Sequence, residues 1–156
     1  MTMARAMGAA GLLVSALVFF PAAWGADPLK VADPWVRATV PGQPVAGAYM
    51  DLVSEQEAVL VAAASPVAGR VELHTMTMEG DVMRMRAVER IPLPAGVPVR
   101  LAPGGYHIML LDLKQPLKTG GSVSITLTIQ GRSGDRATVQ VSAPVREGPG
   151  HHPHGH

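Results

Sequence analysis

His107 and Met109 stand two residues apart in Tyr106-His-Ile-Met-Leu-Leu-Asp-Leu113, an apolar run that follows the turn signal Pro103-Gly-Gly105 and reads as a β-strand. Alternate side chains of a strand share a face, and positions two apart lie about 6.6 Å from one another. An imidazole and a thioether so placed can lean onto one ion, or they can fill a core. A second pair, His74 and Met85, lies in Val71-Glu-Leu-His-Thr-Met-Thr-Met-Glu-Gly-Asp-Val-Met-Arg-Met-Arg86. This segment reads as two strands around a Glu79-Gly80 loop, so that Met78 faces Asp81, Met76 faces Met83 and His74 faces Met85. His74, Met76, Met83 and Met85 then share one face.

Taken singly, a methionine is a common gap filler in cores, and a lone buried histidine is usually a satisfied core residue. Clustering argues for more. Of nine methionines, Met1, Met3 and Met7 belong to an N-terminal leader, Met50 stands apart, and Met76, Met78, Met83, Met85 and Met109 fall within residues 76–109. Val, Ile and Leu, which specify a small β core better, are plentiful elsewhere in the chain. A half-site of His107 and Met109 on one strand, brought against His74 and Met85 from a hairpin, is a set of four uncharged ligands. Thioether sulfur is soft and carries no charge, so it binds Zn²⁺ poorly and Ca²⁺ or Mg²⁺ hardly at all, but suits Cu(I). The chain has no cysteine, which excludes a thiol nucleophile, a zinc–thiolate site and a blue-copper centre. Four neutral ligands with no open position favour carrying a metal over redox catalysis. Met76, Met78 and Met83 are expected beside the site or on the surface, where they help capture or hand over the ion.

The elements that must position these residues are short and extended. Apolar and polar residues alternate in Ser122-Val-Ser-Ile-Thr-Leu-Thr-Ile129 and in Ala137-Thr-Val-Gln-Val141, and Pro41-Gly42, Pro103-Gly-Gly105 and Gly120-Gly121 mark turns. Long helical stripes are missing. The expectation is an all-β, antiparallel β-sandwich or Greek-key barrel of about seven to nine strands. Glu55 to Ala64 reads equally as a short helix or a strand.

At the N-terminus, an apolar run from Gly8 to Pro21 precedes Ala23-Trp-Gly25, small residues of the kind a signal peptidase reads. Residues 1–25 are therefore expected to be a signal peptide cleaved before Ala26. The run falls short of the roughly 20 residues a membrane-spanning helix needs, and no cysteine follows it to carry a lipid, so no membrane anchor is expected. The exported chain would be one domain, residues 26–146, with 12 basic and 12 acidic side chains once Arg5 is removed. That balance, and only Trp35, Tyr49 and Tyr106 as aromatics, gives no reason to expect nucleic acid as a partner. Residues 147–156 are a Gly- and Pro-rich tail expected to be disordered. Its His151, His152, His154 and His156 are a candidate second site, for Cu(II), Ni(II) or Zn²⁺; a cloning tag is the bland alternative. No Gly-x-Ser-x-Gly, phosphate loop or nucleotide fingerprint is present, and no acid–base carboxylate pair is placed by spacing, so no enzyme is expected.

The spacing of His74, ten residues, Met85, twenty-one residues, His107, one residue, Met109 resembles the copper-ligand signature of the PCu(A)C family of periplasmic copper chaperones. The resemblance extends through Asp33-Pro-Trp-Val-Arg37, Ala46-Gly-Ala-Tyr-Met50, Val71-Glu-Leu-His74 and Pro103-Gly-Gly-Tyr-His-Ile-Met-Leu-Leu-Asp-Leu-Lys114, and covers residues 30–142. It implies a cupredoxin-like β-sandwich that holds Cu(I) at His74, Met85, His107 and Met109. It also implies a role in supplying copper to cytochrome c oxidase, with the CuA domain of subunit 2 and a Sco-type copper protein as partners of a periplasmic monomer. A periplasmic copper buffer or resistance protein is the alternative. Some members of that family carry a metal-binding C-terminal extension, which keeps a Cu(II) site in the histidine tail open.

Overall fold

The computed structural model describes residues 27–148. The expected signal peptide and cleavage point, and the four tail histidines, lie outside those residues. Within them the chain is all β: β1 (Leu29–Arg37), β2 (Ala46–Ser54), β3 (Ala58–Ala64), β4 (Ala68–Glu79), β5 (Val82–Val88), β6 (Ile91–Leu93), β7 (Val99–Leu101), β8 (His107–Leu113), β9 (Ser122–Gly131) and β10 (Arg136–Arg146). Ten strands exceed the seven to nine expected, because β6 and β7 have three residues each and are too short to show alternation. The undecided stretch around residue 60 is a strand from Ala58 onward, with Ala58 and Leu60 turned inward.

The strands hydrogen-bond in the order β5-β4-β8-β2-β1-β10-β9-β3-β6, with β7 beside β2. The pairings are antiparallel except β1 with β10, which run parallel through Val36↔Val145 and Arg37↔Arg146 and join the two layers of the sandwich. A single core draws on both layers. Met50, Leu52, Ile108 and Leu110 from one side meet Leu60, Ile125, Leu127 and Ile129 from the other, all at 2 % exposure or less. Burying a side chain of this size contributes about 1.5–3 kcal/mol.

In β2 and β8 both faces are covered. Ala46 to Met50 and His107 to Leu110 are buried at every position, which alternation alone would not produce. Ala48, Ile108 and Leu110 belong to the sandwich core, and their neighbours Gly47, Tyr49, His107 and Met109 point to the outer face of the same layer. A bulge in β1 brings Trp35 to that face. Pairing with β2 shifts between Ala32↔Asp51 and Trp35↔Tyr49, and Asp33 sits there at φ 47°, a left-handed conformation that aspartate tolerates better than most residues. One extra residue inverts the phase of a strand. Val36 therefore enters the core, and Trp35 lies outside it against Tyr49.

Candidate metal centre

The outer face of the β4–β8–β2–β1 layer carries the residues singled out by chemistry. His74 of β4 is the register partner of His107 of β8, and Glu72 is the partner of Met109, which on its other side faces Gly47 of β2. The two imidazoles have centroids 5.7 Å apart. Behind them a row of rings crosses the layer, with Tyr49 6.3 Å from His107 and Trp35 4.6 Å from Tyr49. The Arg146 guanidinium of β10 lies 4.8 Å over Trp35 and closes the row. Gly47 makes room for it, since a Cβ there would stand 2.4 Å from the Tyr49 hydroxyl.

Hydrogen bonding decides the state of each imidazole. His74 Nε2–H donates to Glu72 Oε2 at 2.9 Å, and His107 Nδ1–H donates to the Gly105 carbonyl at 3.0 Å. Both partners accept only, so these nitrogens carry the protons, and in the neutral form of each ring the opposite nitrogen carries the lone pair. On His74 that leaves Nδ1, which is buried without a hydrogen-bond partner. An unsatisfied buried polar atom costs about 1–3 kcal/mol, and a cation at that nitrogen would remove the cost. Glu72 is itself held in place, its Oε1 accepting from Arg70 at 3.0 Å, and Arg70 also reaches Asp112 at 3.2 Å. A carboxylate behind one imidazole and a carbonyl behind the other is the arrangement that orients histidine ligands and raises their basicity. Burial holds the His107 imidazolium below the ordinary histidine range; the Gly105 hydrogen bond works against this, and the His74 charge adds to it. His107 is therefore neutral at pH 7, the form that binds metal.

The hairpin register differs from the sequence expectation by two residues, an even shift. The loop is Gly80-Asp81, with Glu79↔Val82, Met78↔Met83, Met76↔Met85 and His74↔Ala87. Gly80 has φ +64°, and a two-residue hairpin loop that begins with glycine satisfies the positive φ required at its first position. Because both partners move together, the face is unchanged. His74, Met76, Met78, Met83 and Met85 still share it, but Met85 sits opposite Met76 and diagonal to His74. Met76, Met85, His107 and Met109 line one open cleft of about 330 Å³, floored by Gly47 and Tyr49. The inner pair is buried, with His107 and Met109 at 4 % and 9 % exposure, whereas Met85 is 55 % exposed.

Glu72, the Gly105 carbonyl and Tyr49 were not singled out from sequence. Glu72 had a readable signal, a carboxylate two positions before a strand histidine and so on its face. The carbonyl and the tyrosine had none, since their places depend on strand pairing. Among the described residues no three His, Cys, Asp or Glu side chains converge as a metal site, and the side chains beside His107 in the cleft that can ligate a soft ion are the thioethers Met76, Met85 and Met109.

Residues 29–145 match the family described as "Putative lipoprotein LpqE-like". The chain belongs to the LpqE-like family. It is 37% identical over 123 residues to "Putative lipoprotein Lxx21020" of Leifsonia xyli subsp. xyli (strain CTCB07), a match spanning 78% of this chain and 72% of that protein. Among solved structures it is similar to the copper-bound PCuAC domain from PmoF2, at TM-score 0.63 and 26% identity over 78% of this chain and 94% of that one. It is also similar to CuI-DR1885 from Deinococcus radiodurans, at TM-score 0.59 and 37% identity over 79% and 83%. Apo-DR1885 aligns over 94% of this chain and 97% of its own, at TM-score 0.58 and 34% identity. The likeness to PCuAC domains drawn from sequence thus extends to the cupredoxin-like sandwich itself.

Proposed function

We propose that this protein is an exported copper chaperone that carries Cu(I) on His74 Nδ1, His107 Nε2, Met85 and Met109, and delivers it for assembly of the CuA centre of cytochrome c oxidase. The observation that carries the reading is the His74–His107 pair, in which each ring has one nitrogen committed to an oxygen acceptor, His74 keeps its other nitrogen buried without a partner, and His107 lines one cleft with Met85 and Met109. Copper in the PmoF2 domain and Cu(I) in DR1885 support the choice of metal. The chain's own part is to hold the two imidazoles oriented and His107 neutral, to shield the inner pair from water, and to leave Met85 on the open side where a partner can compete for the ion. The lipoprotein relatives support export, but these 156 residues contain no cysteine to take a lipid. We assign the chain to the periplasm as a monomer, with cleavage before Ala26, subunit 2 of the oxidase and a Sco-type protein as partners, and His151, His152, His154 and His156 as a separate Cu(II) collector.

Anaerobic competition against a Cu(I) chelator tests the site. In tail-deleted protein, His107→Ala and Met109→Leu should each lose one equivalent of bound Cu(I) relative to the parent while circular dichroism still reports the fold; an unchanged stoichiometry in both variants would overturn the assignment. Delivery is tested with a soluble CuA domain, to which a chaperone transfers Cu(I) faster than release into buffer allows. Transfer no faster than release would identify a copper buffer or resistance protein instead.

A further inference from the structure

Three of the clustered methionines, Met76, Met78 and Met83, have no part in the proposed site. They lie on the arm of the β4–β5 hairpin beyond His74, where β8 has ended and the two strands run on as a ribbon with β5 at the sheet edge. One face of this ribbon is Met76, Met78, Met83 and Met85. The other carries half-buried Thr75 and Thr77 and exposed Arg84 and Arg86, with Glu79 ion-paired to both arginines. Met78 and Met83 are 60 % and 46 % exposed, so packing does not account for them. A surface for docking protein would accept Leu, Ile, Val or an aromatic ring, yet all four positions are methionine. Thioethers differ from those side chains in binding soft monovalent cations, and no oxygen or nitrogen ligand stands among them to favour a hard one.

The register makes such binding feasible. Met78 faces Met83 directly and Met76 faces Met85, with opposed Cβ atoms about 5 Å apart and successive pairs about 7 Å along the strands. Two rotatable bonds bring each sulfur within reach of a shared ion, and the third turns its lone pairs toward it. Met76 and Met85 also line the cleft that holds His107 and Met109, so the two groups of sulfurs are continuous. We propose that Met76, Met78 and Met83 form a second, all-thioether Cu(I) site on the hairpin arm, from which the ion passes by way of Met85 to the inner histidines. The transfer is ligand exchange, with one thioether leaving as the next ligand arrives; copper stays monovalent and no electron moves. Only the direction of transfer rests on the function proposed above; the outer site stands without it.

The test is methyl NMR on the full chain labelled with ¹³C-methyl methionine and titrated with Ag(I), a soft ion that does not change oxidation state. The tail histidines do not contribute to this readout. Met85 and Met109 should respond in one step, and Met76, Met78 and Met83 in a separate stoichiometric step. The double variant Met78→Leu and Met83→Leu, at exposed positions that do not support the fold, should lose the second step and keep the Met109 response. His107→Ala should do the reverse, and in the parent a silent Met109 with responding Met78 and Met83 would reject the inner site alone. Unresponsive Met78 and Met83 methyls, or a second step that survives the double variant, would overturn the outer site. So would shifts of these methyls on concentrating metal-free protein, which would mark the ribbon as a self-association face.

Discussion

At the scale of single residues, the site depends as much on what stands behind the imidazoles as on the imidazoles. Glu72 uses one oxygen on His74 and the other on Arg70, so it holds the ring while being held itself. Glu72→Gln keeps the size and removes the charge. Loss of such a supporting partner typically costs about 10–100-fold in metal affinity, and a weakening in that range is expected in Cu(I) chelator competition; an unchanged affinity would show that Glu72 does not tune the ligand. His107 gives a pH dependence with a definite sign. Its folded pKa is lowered by burial, so between the ordinary value of 6.5 and the folded value the unfolded chain binds more protons. Its contribution to stability is complete above 6.5 and is lost as pH falls through that window. Urea midpoints of the metal-free protein from pH 7.5 downward should decline there, and less so in His107→Gln.

At the scale of elements, two irregularities aim the side chains. The bulge at Asp33 turns Trp35 out of the core, and the close packing of Tyr49 over Gly47 sets the ring row against His107. Gly47→Ala forces the Tyr49 ring aside, and Trp35 blocks one direction of escape. The expected cost is about 1–3 kcal/mol, read as a lower urea midpoint, with Gly47→Ala/Tyr49→Leu recovering part of it by removing the clash. A single variant as stable as the parent would show that the ring has room to move. The hairpin obeys a different rule, since its register follows from Gly80 at the first loop position, and that register decides which methionine faces which.

At the scale of the whole molecule, one layer of a sandwich serves two purposes. Its inner face completes the core with the opposite layer, while its outer face is roofed by rings and thioethers instead of by a third layer. His107 and Met109 are thus enclosed and Met85 is open, a gradient that suits the proposed holding and release of an ion. Binding to the folded state alone raises stability by about 2.7 kcal/mol at a hundredfold excess of ligand over its dissociation constant. A raised Tm on anaerobic Cu(I) addition is therefore expected, and should be smaller in His107→Ala. Loss of that difference in the parent would argue against a preformed site.

Much was legible before folding. Period-two alternation in β9 and β10, the glycine and proline turns, and the absence of helical stripes placed the chain among β-sandwiches. The spacing of His74, Met85, His107 and Met109, together with zero cysteines, directed attention to a soft-metal face. Those signals are local, because strand phase and ligand type are written in neighbouring residues. Strand pairing is not local. That His74 meets His107, that Glu72 and the Gly105 carbonyl commit one nitrogen of each ring, and that a bulge swings Trp35 outward depend on contacts between segments tens of residues apart. Alternation leaves those contacts open; burial of one shared core, with hydrogen bonds completed across β1, β2, β4 and β8, selects them.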